Sequence, residues 1–429
     1  MSVFPTAGTQ RRWLVSNGLW ASGDFLRLFA AQSVSLFGSE ISLIALPLTA
    51  VLVLGASPAQ MGLLAAVEKL PFMLVGLFAG VWVDRLRCRS VLVTADIGRA
   101  LLLASIPCAA AFGLLRIEQL FVVAFLAGVL TVFFDVGYQS FLPDLVDRSR
   151  LTEANGRLEA SKSLAEMAGP MLGSGLLQIA AAPFAIGIDA LSFLLSGLFL
   201  RSIRTSVPPK TGTVRAGMLS EVAVGIRLVL RHPLLRPIAA CSATMNLFYQ
   251  MLAAVYILYV TTQLQLAPAL IGIVFGIGSL AGVAGAVLAS RLASRIGTGT
   301  TLMLSTVVSG LAGLSIAFVR PGDVMLVALV LAQLLMMLGV PIYNINQLSL
   351  RQSITRAGVR GRVNATNRCL VWGTMPIGSL LGGLLGQAIG LQPTIAVAAS
   401  GMVLAAAWIA ASRVRTLTAA EVAALGELA

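Results

Sequence analysis

Long apolar runs, each broken off by charge, glycine or proline, recur along the whole chain with no alternation of period two inside them. A helix needs about 20 apolar residues to cross the hydrocarbon of a bilayer. The first half of the chain predicts such helices at Phe25–Leu54, Ala59–Val83, Ser90–Leu114, Glu118–Leu142, Asn155–Ala180 and Pro183–Leu200. The second half predicts them at Pro237–Thr262, Ala269–Leu292, Thr300–Val319, Asp323–Leu350, Val363–Ala388 and Gln392–Ser412. A membrane β-barrel is excluded, because its strands alternate lipid-facing and lumen-facing residues.

Composition sharpens this picture. The 429 residues are 58% hydrophobic and only 11% charged, with 42 glycines. A water-exposed fold of that length carries about a quarter charged residues, so soluble, fibrous and disordered classes fall. Arg11 and Arg12 precede the first apolar run without a small-residue cleavage site, which reads as a retained helix rather than a signal peptide.

Charge adds orientation. Lys69, Arg99 and Lys162 lie within helices and Arg116 and Arg320 on one side, whereas all the others of the 30 basic residues fall on the opposite side. Cytoplasmic loops collect Lys and Arg, so both termini are expected in the cytoplasm. The net charge of +13 is then a topology signal whose partners are anionic lipid headgroups, not nucleic acid. The expected organisation is a cytoplasmic segment at 1–24, a six-helix bundle at 25–200, a cytoplasmic linker at 201–236, a second bundle at 237–412 and a cytoplasmic tail at 413–429. Within the linker, Met218, Leu219, Val222 and Val229 alternate with Glu221, Arg227 and Arg231, which predicts a short amphipathic helix on the membrane surface.

The halves repeat each other. Pro58, Gly62 and Arg85 match Pro268, Gly272 and Arg295 at an offset of 210, and Asn155, Gly169, Gly173 and Gln178 match Asn364, Gly378, Gly382 and Gln387 at 209. Six helices per copy is an even number, so the copies run parallel about an axis along the membrane normal.

Ionisable residues inside membrane helices cost at least about 2 to 3 kcal/mol on insertion scales and need a reason. Glu40, Glu68, Asp135 and Glu166 are candidates for proton or cation coupling, with Lys69 and Lys162 as charge partners; structural salt bridges are the competing role. Glu40 has no basic residue within one turn of its own helix, and Gln250 is its repeat mate. Asp96 and Arg99 are spaced as a structural pair, and Asp189 is read as structural too. The second half offers uncharged groups for a substrate wall: Asn246, Tyr249, Gln250, Tyr256, Tyr343, Asn344, Gln347 and Trp372. Apolar walls with few polar anchors suit an amphipathic ligand. Cys88, Cys108, Cys241 and Cys369 have no metal or disulfide spacing, and His232 reads as a loop residue.

The loop Gly80-Val81-Trp82-Val83-Asp84-Arg85-Leu86-Arg87-Cys88-Arg89 resembles the loop signature of the major facilitator superfamily, with Arg87 where the later glycine is usual. The partner loop keeps Arg295 and Gly297. Gly169-Pro170 followed by Gly173 resembles that superfamily's antiporter signature, with Ser174 in place of a second glycine. Asp24-Phe25-Leu26-Arg27, Ala95-Asp96-Ile97-Gly98-Arg99, Leu142-Pro143-Asp144 and Asp189-Ala190-Leu191-Ser192-Phe193 are similar to the bacterial secretion-effector and macrolide-efflux branch, enterobactin-type exporters included.

The resemblance implies an all-α membrane protein, with twelve transmembrane helices in two parallel-related six-helix bundles, in the bacterial cytoplasmic (inner) membrane. It implies export of a small amphipathic compound by proton antiport, with the proton gradient as energy source, no cofactor or metal, and a monomer. It also implies a cytoplasmic gate at Gly80, Asp84, Arg85, Arg89 and Arg295. A lipid flippase, a membrane transferase and a transport-dead sensor are the alternatives. The transferase would need paired aspartates for a magnesium-bound diphosphate, and Asp144 with Asp147 lack the companions. A carboxylate at a helix end strengthens one closure state when it meets a neighbouring helix N-terminus. Asp84→Ala should therefore lower transport while expression and substrate binding persist, and unchanged turnover in vesicles carrying the variant would remove the gate role.

Overall fold

The computed structural model describes residues 19–76, 79, 82–83, 86–147, 150–204, 226–355, 360–418 and 421. Gly80, Asp84, Arg85 and most of the linker lie outside them. Ser22 opens helix α1 (Gly23–Leu48): its Oγ accepts the Phe25 amide at 3.4 Å, and Asp24 sets a negative charge at the positive helix end. Two residues past Pro47 the helix widens into a π-turn, Thr49–Val53, where Thr49 Oγ1 donates to the Ala45 carbonyl at 2.7 Å. Helix α2 (Pro58–Leu74) starts on a reciprocal cap between Ser57 and Gln60, with proline in the first helical position.

The chain continues through α3 (Cys88–Ala111), α4 (Ile117–Leu145), α5 (Leu151–Leu176) and α6 (Ala182–Ser202). After the linker come α7 (Leu235–Thr262), α8 (Pro268–Ile296), α9 (Thr298–Ile316), α10 (Met325–Ser353), α11 (Arg360–Ile389) and α12 (Leu391–Ala410). Among the described residues, all of these except α2, α5 and α11 are long and apolar enough to cross a membrane. Helix α5 falls short because Glu153, Arg157, Glu159, Lys162 and Glu166 interrupt it. The protein is an all-α, multi-pass membrane protein, and these three helices pack where the two halves meet.

The helix pairing repeats. In the first half α1 packs on α5 and α6, α3 on α4 and α6, and α2 on α4. In the second half α7 packs on α11 and α12, α9 on α10 and α12, and α8 on α10, which is the same scheme six helices later. Between halves, α2 lies against α11 and α5 against α8, so each junction exchanges equivalent partners.

Small residues set both junctions. A Cβ on Gly62 of α2 would stand 2.5 Å from the Cα of Gly383 on α11, and a Cβ on Gly272 of α8 would collide with Ser174 of α5. Gly272 is the repeat mate of Gly62 and Gly383 that of Ser174, so one crossing occurs twice. In lipid there is little hydrophobic drive between helices, and close backbone approach at small residues supplies the packing instead.

Of the expected amphipathic linker helix, residues 226–231 are described and helical. Val229 there is buried with Leu235, Ala239 and Val363, while Leu228 and Leu230 beside it are exposed.

Asp96 and Arg99 form the expected pair, buried among α3, α4 and α6. Ser196 Oγ donates to the other Asp96 oxygen at 2.5 Å, Arg99 donates to Thr131 Oγ1 at 3.3 Å, and its guanidinium lies 4.5 and 4.1 Å from the centres of the Phe134 and Phe193 rings. Stripping one partner from a buried pair costs about 3–5 kcal/mol, because a charge stays behind uncompensated. Arg99→Met should thus lower the unfolding temperature in detergent sharply, and adding Asp96→Leu should recover most of it. A double variant no more stable than the single one would refute this reading of the pair.

Candidate functional site

A cavity of about 310 Å³ opens where the halves meet, next to the two crossings. It draws walls from α1, α2 and α5 on one side and α7, α8 and α10 on the other. Leu43, Pro47, Leu64, Leu252, Phe275 and Met336 make it largely apolar. Six polar or charged side chains line it: Glu68 and Lys69 from the first half, and Tyr249, Gln250, Tyr256 and Gln333 from the second.

Glu68 and Lys69 are consecutive on α2, and Lys69 Nζ donates to Glu68 Oε1 at 2.7 Å. Both side chains keep about a third of their surface open, 38% and 32%, so the pair is presented to the cavity rather than sealed in protein. Tyr256 stands edge-on to Phe275 at 5.7 Å between ring centres, joining α7 to α8 across the apolar wall.

The other candidate acids lie nearby or apart. Glu40 on α1 is half-buried against α5, and a Cβ on Gly169 would overlap its Cβ. No basic residue lies within one turn of it on its own helix, but neighbouring helices bring Lys162 and Lys69 near enough to act on it, along with the like charge of Glu166. Lys162 and Glu166 pair along α5 at 3.6 Å, and Ser279 of α8 donates to the Glu166 carbonyl at 3.0 Å. Asp135, half-buried on α4, does not line the cavity.

The antiporter-like signature has two faces. Gly169 and Gly173 fit α5 to α1, at Glu40 and Ile41. Pro170 lines the cavity, and its carbonyl oxygen, which accepts from Ser174 Oγ at 3.0 Å, faces Gly272 of α8. Gly38, beside Glu40, gives close access to a neighbouring helix: a Cβ there would overlap Ser192 Oγ and meet Asp189 Oδ1 of α6. Asp189 is buried with Ser192 donating to it at 3.1 Å, away from the cavity.

Part of the expected substrate wall is used elsewhere. Asn246 donates to the Ser242 carbonyl at 3.0 Å, Tyr343 is buried at 2.8 Å from Ser242 Oγ, and Gln347 accepts from Arg351 at 3.2 Å. Asn344 is exposed, and Trp372 stands edge-on to Phe72 of α2 at 5.3 Å, bracing α2 on α11. None of these five lines the cavity. Of the gate residues, Arg89 donates to the Arg201 carbonyl at the end of α6, and Arg295 is exposed in the last turn of α8.

Gln333 escaped sequence reasoning. It is 2% exposed, lines the cavity, and its Oε1 is buried without a hydrogen-bond partner. Its stem lies over Gly278, where a Cβ would come within 2.6 Å of Cγ. The available signal was a lone amide ending the apolar run Met325–Ala332, since a polar group at membrane depth needs a partner.

Comparison with known proteins gives the site its context. The model of the Major Facilitator Superfamily matches residues 28–374. The multidrug efflux pump Tap of Mycobacterium tuberculosis is 30% identical over 382 residues, covering 86% of this chain and 88% of that one. The enterobactin exporter EntS of Escherichia coli is 27% identical over 310 residues, 69% and 70% of the two chains. The crystal structure of the nucleoside transporter NupG superposes with a TM-score of 0.72 at 14% identity, covering 90% of this chain and 98% of that chain; this is a likeness of fold.

The cavity can be checked without knowing its ligand. With the four native cysteines replaced, Ala65→Cys should react with a small maleimide, because Ala65 lines the space. Adding Ala253→Trp on the facing wall should slow that reaction markedly while the unfolding temperature holds. An unaltered rate would mean that the two walls do not enclose one space.

Proposed function

We propose that this chain, which belongs to the major facilitator superfamily, exports small amphipathic compounds by proton antiport. A member of this superfamily is a transporter of small molecules, not an enzyme. The observation that carries the finer reading is the cavity between the halves, apolar over most of its wall, with an ion pair on one side and uncharged aromatic and amide groups on the other. Such a lining accommodates an apolar body and orients it by a few polar contacts. The names of the Tap and EntS relatives, an efflux pump and an exporter, support outward movement.

Alternating access would rock one bundle on the other about the α2–α11 and α5–α8 junctions, exposing the cavity to either side in turn. The chain would sit in the bacterial inner membrane as a monomer with both termini cytoplasmic. The proton gradient would be the energy source, without a cofactor.

Glu40 is the residue to which the proton is assigned. Lys69 and Lys162 each have a carboxylate of their own at 2.7 and 3.6 Å, which leaves Glu40, near both, outside either ion pair. Its position against α5 puts it where a change at the α1–α5 contact would alter its surroundings. Glu40→Gln keeps the side chain's shape and removes its titration. The variant reconstituted in proteoliposomes should still bind substrate and equilibrate it, but lose net efflux against a concentration gradient. Wild-type uphill efflux in Glu40→Gln would move coupling to Asp135 or Glu166, or dispense with protons.

A further inference from the structure

Beyond α12 the chain folds back onto the start of α9. It makes a short 3-10 turn, Arg413–Thr416, opened by the Ser412 hydroxyl, which accepts the Val414 amide at 3.2 Å. Val414 is buried, and the turn packs on α9 and α12. The Leu417 carbonyl then accepts the Gly299 amide at 3.2 Å. That amide is one of the donors a helix start ordinarily leaves to a capping side chain or to water, and no side chain caps α9. Two glycines permit the approach: Gly297 turns the chain out of α8 at a φ of +87°, and a Cβ on Gly299 would collide with the Val414 carbonyl oxygen.

The first half is fastened differently at the equivalent place. Helix α3 starts at Cys88 and α9 at Thr298, an offset of 210, so Arg89 stands where the second half has Gly299. Arg89 reaches the matching end of α6 with its side chain, which donates to the Arg201 carbonyl at the exposed surface. Letting go there breaks one solvent-exposed hydrogen bond, whereas freeing the start of α9 also draws Val414 out of its apolar packing. We propose that residues 412–418 are a clasp that fixes the start of α9 to the end of α12, and that the start of α3 is the one of the two that detaches. Of the gate residues, Arg295 then belongs to a fixed part, two residues before Gly297, and Arg89 to a part that releases. This bearing on gating rests on the alternating-access reading; the clasp itself does not.

Hydrogen exchange of the full chain in nanodiscs, read by mass spectrometry and corrected for intrinsic rates, makes the test. Peptides covering 298–303 and 88–93 are compared in the wild type, Gly299→Ala and Val414→Asp. In the wild type the start of α9 should exchange about tenfold more slowly than the start of α3, the effect of holding one amide hydrogen bond. Both variants should erase that difference and speed exchange over 412–418, with peptides from the middle of α9 and α12 unchanged. Gly299→Ala separates a clasp from mere proximity, because alanine favours a helix over glycine. A tail that only lies nearby therefore predicts slower exchange at the start of α9 in this variant. Equal exchange at the two helix starts in the wild type, or slowed or unaltered exchange at the start of α9 in Gly299→Ala, would overturn the proposal. The wild-type comparison decides even if Val414→Asp fails to fold. None of these readouts involves a substrate, so they stand apart from the transport reading, which the Glu40→Gln assay addresses.

Discussion

Close crossing of α2 with α11 and of α5 with α8 is the constraint on which the rest of the structure depends. Gly62 against Gly383 and Gly272 against Ser174 bring backbones together where any larger side chain would hold them apart. The cavity wall begins immediately beyond: Leu64, Ala65, Glu68 and Lys69 follow Gly62 within two turns, and Phe275 follows Gly272 by one. The site's dimensions are therefore set by the smallest residues in the junction. Helix α5, for all its charge, packs on α1 of its own half and on α8 of the other.

The two halves share a pairing scheme and divide the chemistry. Charge near the cavity belongs to the first half, in Glu40, Glu68, Lys69, Lys162 and Glu166, whereas the second half supplies Tyr249, Gln250, Tyr256 and Gln333. Each cation is matched to an acid on its own helix, so neither ion pair bridges the halves. Cross-half bonding is of a lighter kind, such as the Ser279 hydroxyl on the Glu166 carbonyl and the Trp372 ring on Phe72. Contacts of this sort hold one arrangement without the large penalty of separating buried opposite charges.

Much of this was legible in one dimension. Unbroken apolar runs located the helices, and the offset of 210 paired Gly62 with Gly272 before any contact was known. The resemblance to the antiporter signature showed Ser174 as a departure, and the structure explains why it is tolerated: its hydroxyl returns to the Pro170 carbonyl of its own helix, and Gly272 makes the room. Helix starts were less legible where polarity hid them. Helix α5 begins at Leu151 rather than Asn155 because its first turns are charged, and hydrophobicity is silent about such a segment. The direction in which a polar side chain points was not legible at all. Tyr343 and Asn246 are of the same kind as Tyr249 and Gln250, yet the first two bond within the bundle and the last two line the cavity. That distinction depends on helix rotation against neighbours, which the pattern along one helix does not encode.

The buried pair in α3 bears on how the chain is assembled. Asp96 and Arg99 neutralise each other, but the remaining bonding and ring contacts of this pair come from later helices, Thr131 and Phe134 on α4 and Phe193 and Ser196 on α6. Helix α3 is made before those groups, and until they arrive its only compensation for two ionisable residues at membrane depth is the pair itself. The full set of bonds and ring contacts around this pair exists only once α6 has joined α3 and α4.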